Sequence, residues 1–264
     1  MLKDITLGQY FPGNSVIHRL DPRTKLLAVL IYIVALFLCD GPLAYGVALC
    51  YLAAAVVLSR IRLKALFRGL KPLLIIIIIT ALINVFYTDG RVLLEFWIFR
   101  ITEEGLWNAF FLVLRIMLLV MGTFLLTYTT SPIALTDGIE SLLSPLKKLR
   151  FPVHELAMMI SIALRFIPTL IEETDKIISA QKARGADFET GSLLHRAKAL
   201  IPILVPLFVS AFRRAEELAT AMECRCYHGG SGRTKLKVLR FTPGDLFALL
   251  LTAAMLAGIL LLGL

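Results

Sequence analysis

The sequence predicts an all-α, polytopic membrane protein with about five transmembrane helices and a cytoplasmic coupling domain of three helices, two of them long. The observations behind this fold class are the composition, the length of the apolar segments and the distribution of basic residues. Of the 264 residues, 58% are hydrophobic and only 18% are charged, and the mean hydropathy is +0.80. A soluble domain of this size needs more charge to cover its surface, so the excess apolar surface requires lipid.

The first long apolar segment, residues 26–58, is interrupted only by Asp40-Gly41-Pro42. A single helix of this length would far exceed a bilayer, which takes about 20 helical residues. A Gly-Pro break between apolar runs is typical of a turn. We therefore predict two short spans, residues 25–39 and 43–59, joined by a tight hairpin.

The remaining spans follow the same alternation of apolar segment and polar break. An acid-free basic loop at 60–71 precedes a third span at 72–87, and a mixed segment at 88–104 precedes a fourth span at 105–128. The last span begins at Asp245 and carries no charge beyond it. Five crossings then place the C-terminus on the side opposite the N-terminus.

Basic residues are concentrated in alternate connecting segments. Residues 1–25 hold four, residues 60–71 hold five and residues 129–242 hold sixteen, whereas the turns at 40–42 and 88–104 hold none and two. Because cytoplasmic loops are enriched in Lys and Arg, this pattern predicts a cytoplasmic N-terminus. Residues 1–25 also lack the apolar core of a cleavable signal peptide.

The chain thus divides into three predicted parts: transmembrane helices 1–4 in 1–128, a cytoplasmic coupling domain in 129–242 and a C-terminal transmembrane helix in 243–264. In the coupling domain we predict a short amphipathic helix over 131–149. Two longer helices follow, at about 153–184 and 193–225.

Both long helices begin apolar and end charged. Their apolar halves, residues 156–171 and 199–212, are short and contain prolines. We expect them to lie along the inner membrane face or to dip into it. Proline-broken spans do occur in membranes, so two ordinary crossings stay open as the alternative, and the parity of the topology does not separate the two.

The two long helices end alike. The first ends in Ala183-Arg184-Gly185 and the second in Cys224-Arg225-Cys226, 41 residues later, with a small residue before each arginine. One explanation is a common helix stop, because a cation suits a helix C-terminus and Gly often follows it. The other is partner contact, in which each guanidinium reaches a carboxylate or a helix end in another protein. The repetition favours partner contact.

At these residues the chain resembles the transmembrane T component of energy-coupling factor (ECF) transporters, which is related to the cobalt-transporter Q subunit. The resemblance rests on the segment His18-Arg19-Leu20-Asp21-Pro22-Arg23-Thr24-Lys25, on Ala183-Arg184-Gly185 and on Cys224-Arg225-Cys226. It covers essentially the whole chain. The family often has Ala-Arg-Gly at the second end as well, where this chain carries two cysteines.

The resemblance implies a non-catalytic subunit in the cell membrane of a prokaryote. Such a subunit joins two cytoplasmic ATP-binding cassette (ABC) ATPases to a separate substrate-binding membrane subunit, the S component, for uptake of vitamins or other micronutrients. The implied ATPase-docking residues are Ala183, Arg184, Gly185, Cys224, Arg225 and Cys226. The same resemblance leaves a dedicated cobalt or nickel importer permease as the alternative, and a secondary carrier as a more distant one.

Four further residues are candidates for polar roles. Arg115 lies inside the fourth span, where an arginine is costly and often functional, and it has either a packing role or a partner such as Asp89, Glu95 or another subunit. Arg165 poses the same question in the first long helix. For Asp21 and Arg23 we expect a structural role, as a helix cap with inside-positive charge.

Other function classes lack their residues. Cys224, Cys226 and His228 do not converge at helical spacing, so we expect no metal site, and no segment predicts a cofactor. A membrane enzyme would need paired acids or a nucleophile beside a base, and a channel would need polar residues through several spans. The basic residues alternate between membrane-proximal loops and helix ends, which also argues against a nucleic-acid partner.

Overall fold

The computed structural model describes residues 10–88, 90–96, 99–186, 188, 192, 198–230 and 238–262, and within 92–101 no side chains are described. These residues belong to two compact units. One unit is Glu140–Val238, and the other is Gly8–Ile139 together with Leu239–Leu264. Each is described by itself.

Most of the described helices belong to the larger unit. Its helices are α1 Val16–Arg19, α2 Pro22–Phe37, α3 Pro42–Ser59, α4 Leu63–Leu70, α5 Leu74–Tyr87, α6 Glu103–Thr129, most of α7 Pro132–Leu142, and the C-terminal helix Pro243–Leu262. A 3-10 turn, Lys71–Leu73, joins α4 to α5.

The smaller unit is built on two long helices, α8 Val153–Ala183 and α9 Ile201–Cys224. A 3-10 segment, Ser144–Leu149, precedes α8. The C-terminal helix Pro243–Leu262 of the larger unit is α10. The predicted start of the second long helix, at Leu193, lies outside the described residues.

The turn between α2 and α3 lies where the sequence predicts it. Proline occupies the first position of both helices, Pro22 and Pro42, where its fixed φ suits a helix start and its missing N–H costs nothing. Gly41, with φ of 90°, adopts a conformation that side-chain-bearing residues avoid. The chain therefore reverses between two helices rather than continuing as one.

The core of the larger unit forms where α2, α3, α6 and α10 pack together. Small residues at Ala35, Ala44 and Ala48 are fully buried and let the helix backbones approach closely. Tyr32 fills the space beside Gly122, where an added Cβ would lie 2.5 Å from the tyrosine ring. Helix contacts of this kind replace the hydrophobic drive that is absent between helices in lipid.

Five helical segments among the described residues are long and apolar enough to cross a membrane: Pro42–Ser59, Leu63–Tyr87, Glu103–Thr129, Val153–Ala183 and Pro243–Leu262. The predicted class, a largely helical protein with five such segments, is confirmed. Large apolar side chains on these segments, Val57, Ile75 and Leu261 among them, are exposed, as lipid-facing residues are.

The five segments are not the five predicted ones. The predicted first span corresponds to α2, which has only 16 residues. At 1.5 Å per residue α2 is about 24 Å long, short of the roughly 30 Å hydrocarbon core. The fifth segment that is long and apolar enough is α8 instead. The sequence predicts that the apolar half of α8 lies along the inner membrane face or dips into it.

The predicted basic loop at 60–71 is wrong over Leu63–Leu70, which form the helix α4. Its apolar residues recur at Leu63, Leu66, Phe67 and Leu70, the spacing of one helix face. Leu66 and Leu70 are buried, which supplies the packing that basic composition alone does not indicate.

Two further local predictions need correction. The amphipathic helix predicted over 131–149 ends at Leu142, and the chain then tightens into the 3-10 segment that contains Pro145. The segment between the third and fourth predicted spans contains a short antiparallel hairpin, Val92–Phe96 with Phe99–Thr102. We did not predict these strands because the segment is too short for an alternating pattern to stand out.

Candidate partner-docking site

The first helix tip, at the end of α8, is closed by a hydrogen-bonded cap. Arg184 is the C-cap residue, and Gly185 follows with φ of +86°. The N–H of Ala186 donates to Gln181 O at 3.0 Å, and the N–H of Gly185 donates to Lys182 O at 3.0 Å. This is a Schellman cap, in which a left-handed residue lets the chain satisfy the last helical carbonyls.

The second tip, at the end of α9, has the same geometry. Arg225 is the C-cap residue, and Cys226 follows with φ of 55°. The N–H of Tyr227 donates to Met222 O at 3.1 Å, and the N–H of Cys226 donates to Glu223 O at 2.8 Å. Cys226 therefore occupies the left-handed position that Gly185 occupies at the first tip.

The arginine at each tip is accessible within the smaller unit. Arg184 and Arg225 are exposed, as are their neighbours Ala183 and Gly185 at the first tip and Cys224 and Cys226 at the second. Within the described part of the chain, neither guanidinium makes a hydrogen bond or an ion pair. Both are thus available to an external acceptor.

Helices α8 and α9 form an antiparallel hairpin. Near one end, Gln181 Nε2 donates to Pro202 O at 3.4 Å. Further along, Arg214 Nη2 lies 3.0 Å from Glu173 Oε2, and Ser210 Oγ donates to the same carboxylate. As the residue number rises along α8, its partner's number falls along α9.

The antiparallel arrangement separates the two tips. Arg184 lies beside the start of α9, and Arg225 lies at the far end of that helix. At 1.5 Å per residue, the 23 positions from Pro202 to Arg225 correspond to about 35 Å. The second tip lies instead near the start of α8, where Gly230 approaches the His154 ring. His154 Nδ1 is in turn 3.0 Å from Glu140 Oε1.

Arg115 has partners within the larger unit. Its Nε donates to Tyr45 Oη at 2.8 Å, its Nη2 donates to Cys39 O at 3.2 Å, and its guanidinium lies 5.7 Å from the Tyr45 ring centre. These contacts tie α6 to the turn that joins α2 and α3. The two acids predicted as possible partners of Arg115 are not seen, because Asp89 and the side chain of Glu95 lie outside the described part of the structure.

Asp21 and Arg23 lie at the start of α2. Asp21 is its N-cap, and its Oδ1 accepts a hydrogen bond of 2.9 Å from the Arg23 N–H. The Arg23 guanidinium lies 5.9 Å from the Phe241 ring centre. Arg165, by contrast, is exposed on α8 and makes no hydrogen bond or ion pair within the described ranges.

Sequence reasoning missed Asp245 as a structural residue. It is fully buried, and its carboxylate accepts hydrogen bonds from Asp21 N at 2.7 Å, Thr242 N at 2.7 Å and Thr242 Oγ1 at 2.6 Å. One carboxylate thus joins the starts of α2 and α10. The sequence does contain a signal for this role, namely an acidic residue at the boundary of an apolar segment. In the sequence analysis that residue serves only as the start of the last predicted span.

Lys25 was also missed as an individual residue. It is buried, and its Nζ donates to Thr129 O at 3.0 Å, to His18 O at 3.3 Å and to Thr130 Oγ1 at 3.4 Å. Thr129 ends α6, so the ammonium group lies at the negative end of that helix. The His18–Lys25 segment therefore connects α2, α6 and, through Asp21, α10.

All four cysteines are among the described residues, and none of them forms a disulfide. No three of the described His, Cys, Asp and Glu residues come together as a metal site.

Comparison with known proteins identifies the family. The family model described as "Cobalt transport protein", CbiQ, matches residues 13–236. The chain belongs to the CbiQ family.

Relatives within the CbiQ family cover nearly the full chain. The energy-coupling factor transporter transmembrane protein EcfT of Thermosediminibacter oceani is 56% identical over 257 residues, which is 97% of either chain. EcfT of Ruminiclostridium cellulolyticum is 50% identical over 262 residues, 99% of this chain and 98% of its own. EcfT of Bacillus subtilis is 48% identical over 260 residues, 97% of this chain and 98% of its own.

This CbiQ-family chain is therefore a transmembrane component of an ECF transporter, a complex with other subunits. A membrane subunit of that kind fits a non-catalytic role.

Proposed function

We propose that the chain is the coupling subunit of an ATP-driven importer, which links two cytoplasmic ABC ATPases to a substrate-binding S component. The observation that carries this proposal is the pair of exposed arginine tips. They share one cap geometry and lie about 35 Å apart at opposite ends of the α8–α9 hairpin. At that separation the two arginines do not fit one small groove, whereas they suit two partners of the same kind.

The chemistry of each tip suits docking into a protein groove. Arg184 and Arg225 each present a planar fork of donors that matches a carboxylate or the free carbonyls of a helix end. The small side chains of Ala183 and Gly185 allow close approach of a partner backbone at the first tip. Cys224 and Cys226 are also small, so they preserve that access at the second.

The hairpin offers a way to transmit movement. Glu173 holds Ser210 and Arg214 across it, and Gln181 holds the Pro202 carbonyl. These contacts make the two helices one element, so closure of the two ATPases on ATP would shift both tips together. ATP hydrolysis itself then belongs to the partner subunits.

The apolar halves of the hairpin suit contact with lipid and with the S component. On α9, Val205, Phe208, Val209 and Phe212 are exposed, and on α8 Met159 is exposed. A contiguous exposed apolar surface of this kind marks a membrane or protein contact. Substrate recognition would lie in the S component, with vitamins or other micronutrients as the substrate class.

A second candidate is a dedicated cobalt or nickel importer, in which this chain serves one substrate subunit. The observation that favours it is the description of the family as a cobalt transport protein. Gene order distinguishes the two. Two ABC ATPase genes beside this gene would favour a shared module, and a single adjacent substrate-subunit gene would favour the dedicated importer.

The proposal includes an orientation. The concentration of basic residues in 1–25, 60–71 and 129–242 favours an N-terminus and a tip-bearing hairpin on the cytoplasmic side of a prokaryotic cell membrane. This is the side on which cytoplasmic ATPases reach both arginines.

Single and double Arg184→Ala and Arg225→Ala variants test the proposal through ATPase co-purification and substrate uptake. Arg213→Ala is the matched control, because Arg213 is an exposed arginine on α9 away from the tip. We expect uptake to fall at least tenfold in the double variant, with weaker ATPase retention, and to be unchanged in the control. Normal assembly and uptake in the double variant would falsify the coupling role.

A further inference from the structure

A basic cavity of about 370 Å³ lies in the larger unit. Arg60 and Arg62 line it together with Asn14 and His18, and no acidic residue does. Neither guanidinium has a hydrogen-bond or ion-pair partner in the described part of the chain. His18 is already engaged, with Nδ1 2.6 Å from Ser15 Oγ and Nε2 3.0 Å from Phe11 O. It fixes the cavity wall, so the two arginines remain to meet a ligand.

The cavity lies at the end of α3, a helix long and apolar enough to span a membrane. Arg60 is the C-cap residue of α3, whose 18 residues correspond to about 27 Å, close to the thickness of the hydrocarbon core. The end of such a helix lies at the level of the lipid headgroups. Helix α4 starts there, at Leu63, with no side-chain cap, so its positive N-terminal end faces the same region.

Helix α4, which begins directly after the cavity-lining Arg62, carries exposed apolar side chains. Leu63 is 60% exposed and Phe67 53% exposed, four positions apart on α4. The same helix presents Lys64 and Arg68 to solvent. An amphipathic helix with basic residues and exposed apolar side chains is typical of a segment that lies in the membrane interface.

The backbone at Arg60 adds a separate observation. Its φ of 57° lies in the left-handed region, where glycine fits without strain and arginine does not. Arg60 therefore keeps its side chain at a backbone position where glycine would be less strained.

We propose that this cavity binds the headgroup of an anionic phospholipid. The phosphate lies between Arg60 and Arg62, and an acyl chain lies along Leu63 and Phe67. Free phosphate would satisfy the arginines equally, but it would make no use of the exposed apolar residues on α4. This inference does not rest on the proposed ATPase docking.

Native mass spectrometry tests this site. The full chain is incubated with phosphatidylglycerol and phosphatidylcholine, and the amount of each lipid that stays bound is measured. We expect phosphatidylglycerol to be retained at least tenfold better. The test variant is Arg60→Gly with Arg62→Ala. Because glycine suits the backbone at position 60, this variant should fold, and thermal unfolding in detergent checks that it does.

The matched control is Lys64→Ala with Arg68→Ala, which removes the same charge from the neighbouring helix face but not from the cavity. The preference for phosphatidylglycerol should disappear in the first variant and persist in the second. Equal loss in both would mean general attraction to basic surface and would overturn the site. Inorganic phosphate that displaced the lipid at equal concentration would identify a free-anion site instead and would also overturn the proposal.

Discussion

Cys226 and Gly185 share one backbone position but differ in how well they fit it. A left-handed conformation costs a side-chain-bearing residue about 1 kcal/mol relative to glycine. Cys226→Gly should therefore tighten the second tip, and Gly185→Ala should loosen the first, where an added Cβ meets no atom within 4 Å and only backbone strain is at issue.

Hydrogen exchange at the tip amides measures this difference. We expect exchange about fivefold slower around Cys226→Gly and about fivefold faster around Gly185→Ala, as a 1 kcal/mol change in local opening requires. Ala163→Gly is a control that changes the interior of α8 rather than its cap. Unchanged exchange at both tips would contradict the shared cap geometry.

Arg115 depends on an uncharged acceptor, the Tyr45 hydroxyl. Tyr45→Phe keeps the ring but removes that acceptor, which leaves a charged donor without one of its partners inside the bundle. We expect a loss of about 1 to 3 kcal/mol in stability, read as a lower midpoint of thermal unfolding in detergent. Tyr51→Phe, which breaks a neutral hydrogen bond to Thr252, should cost less.

The same variant separates the two roles that the sequence leaves open for Arg115. If its role is packing within the chain, Tyr45→Phe lowers stability while the assembled transporter keeps its uptake. Full stability in Tyr45→Phe combined with lost uptake in Arg115→Ala would instead point to a partner subunit.

The sequence predicts some of these residues and not others, for physical reasons. The tips are recognisable because Arg184 and Arg225 recur with similar neighbours, and local spacing is visible in a sequence. The left-handed state of Cys226 is not, because cysteine carries no conformational preference for it. Asp245 and Asp21 are 224 positions apart, and only the packed fold brings them together.

Glu173 is the central contact of the α8–α9 hairpin. Its carboxylate meets Ser210 and Arg214 on the other helix, and the pair is partly exposed. Glu173→Gln keeps the shape but removes the charge, so it should weaken the hairpin by about 1 kcal/mol.

Hydrogen exchange in the middle of α9 measures that weakening, and Glu172→Gln is the matched control, since Glu172 is exposed and makes no ion pair within the described residues. The difference between the two variants should shrink at high salt, which screens charged pairs. Equal exchange in both variants at low salt would show that the ion pair does not hold the hairpin.

The sequence predicts a helix correctly where the length of an apolar segment alone determines it. It does not predict an element that depends on tertiary contacts. The break at Gly41-Pro42 and the long apolar segments were visible in the sequence. Helix α4 was not, because its basic composition concealed the buried Leu66 and Leu70. Short strands at 92–96 and 99–102 depend on pairing with each other, which no single segment indicates.

In the larger unit, Asp245 joins the beginning and the end of the membrane bundle. Asp245→Asn replaces one carboxylate oxygen by an amide that faces hydrogen-bond donors. In the unmodified chain, three donors share the Asp245 carboxylate. We therefore expect the variant to lose about 1 to 3 kcal/mol of stability and to give a smaller yield of monodisperse protein in detergent. Asp40→Asn, at an exposed turn, is the control and should behave as the unmodified chain. Equal yields from the two variants would contradict the structural role of Asp245.

The central claim for the whole molecule is that each tip holds a different ATPase. Photo-crosslinking measures this most directly, with a photoreactive residue at Ala183, at Cys224 or at both. Thr169, which is exposed near the middle of α8, is the control position. Each single-tip probe should capture one ATPase, the double probe should capture two, and the control should capture none. A double probe that captures no more than one ATPase would contradict the account.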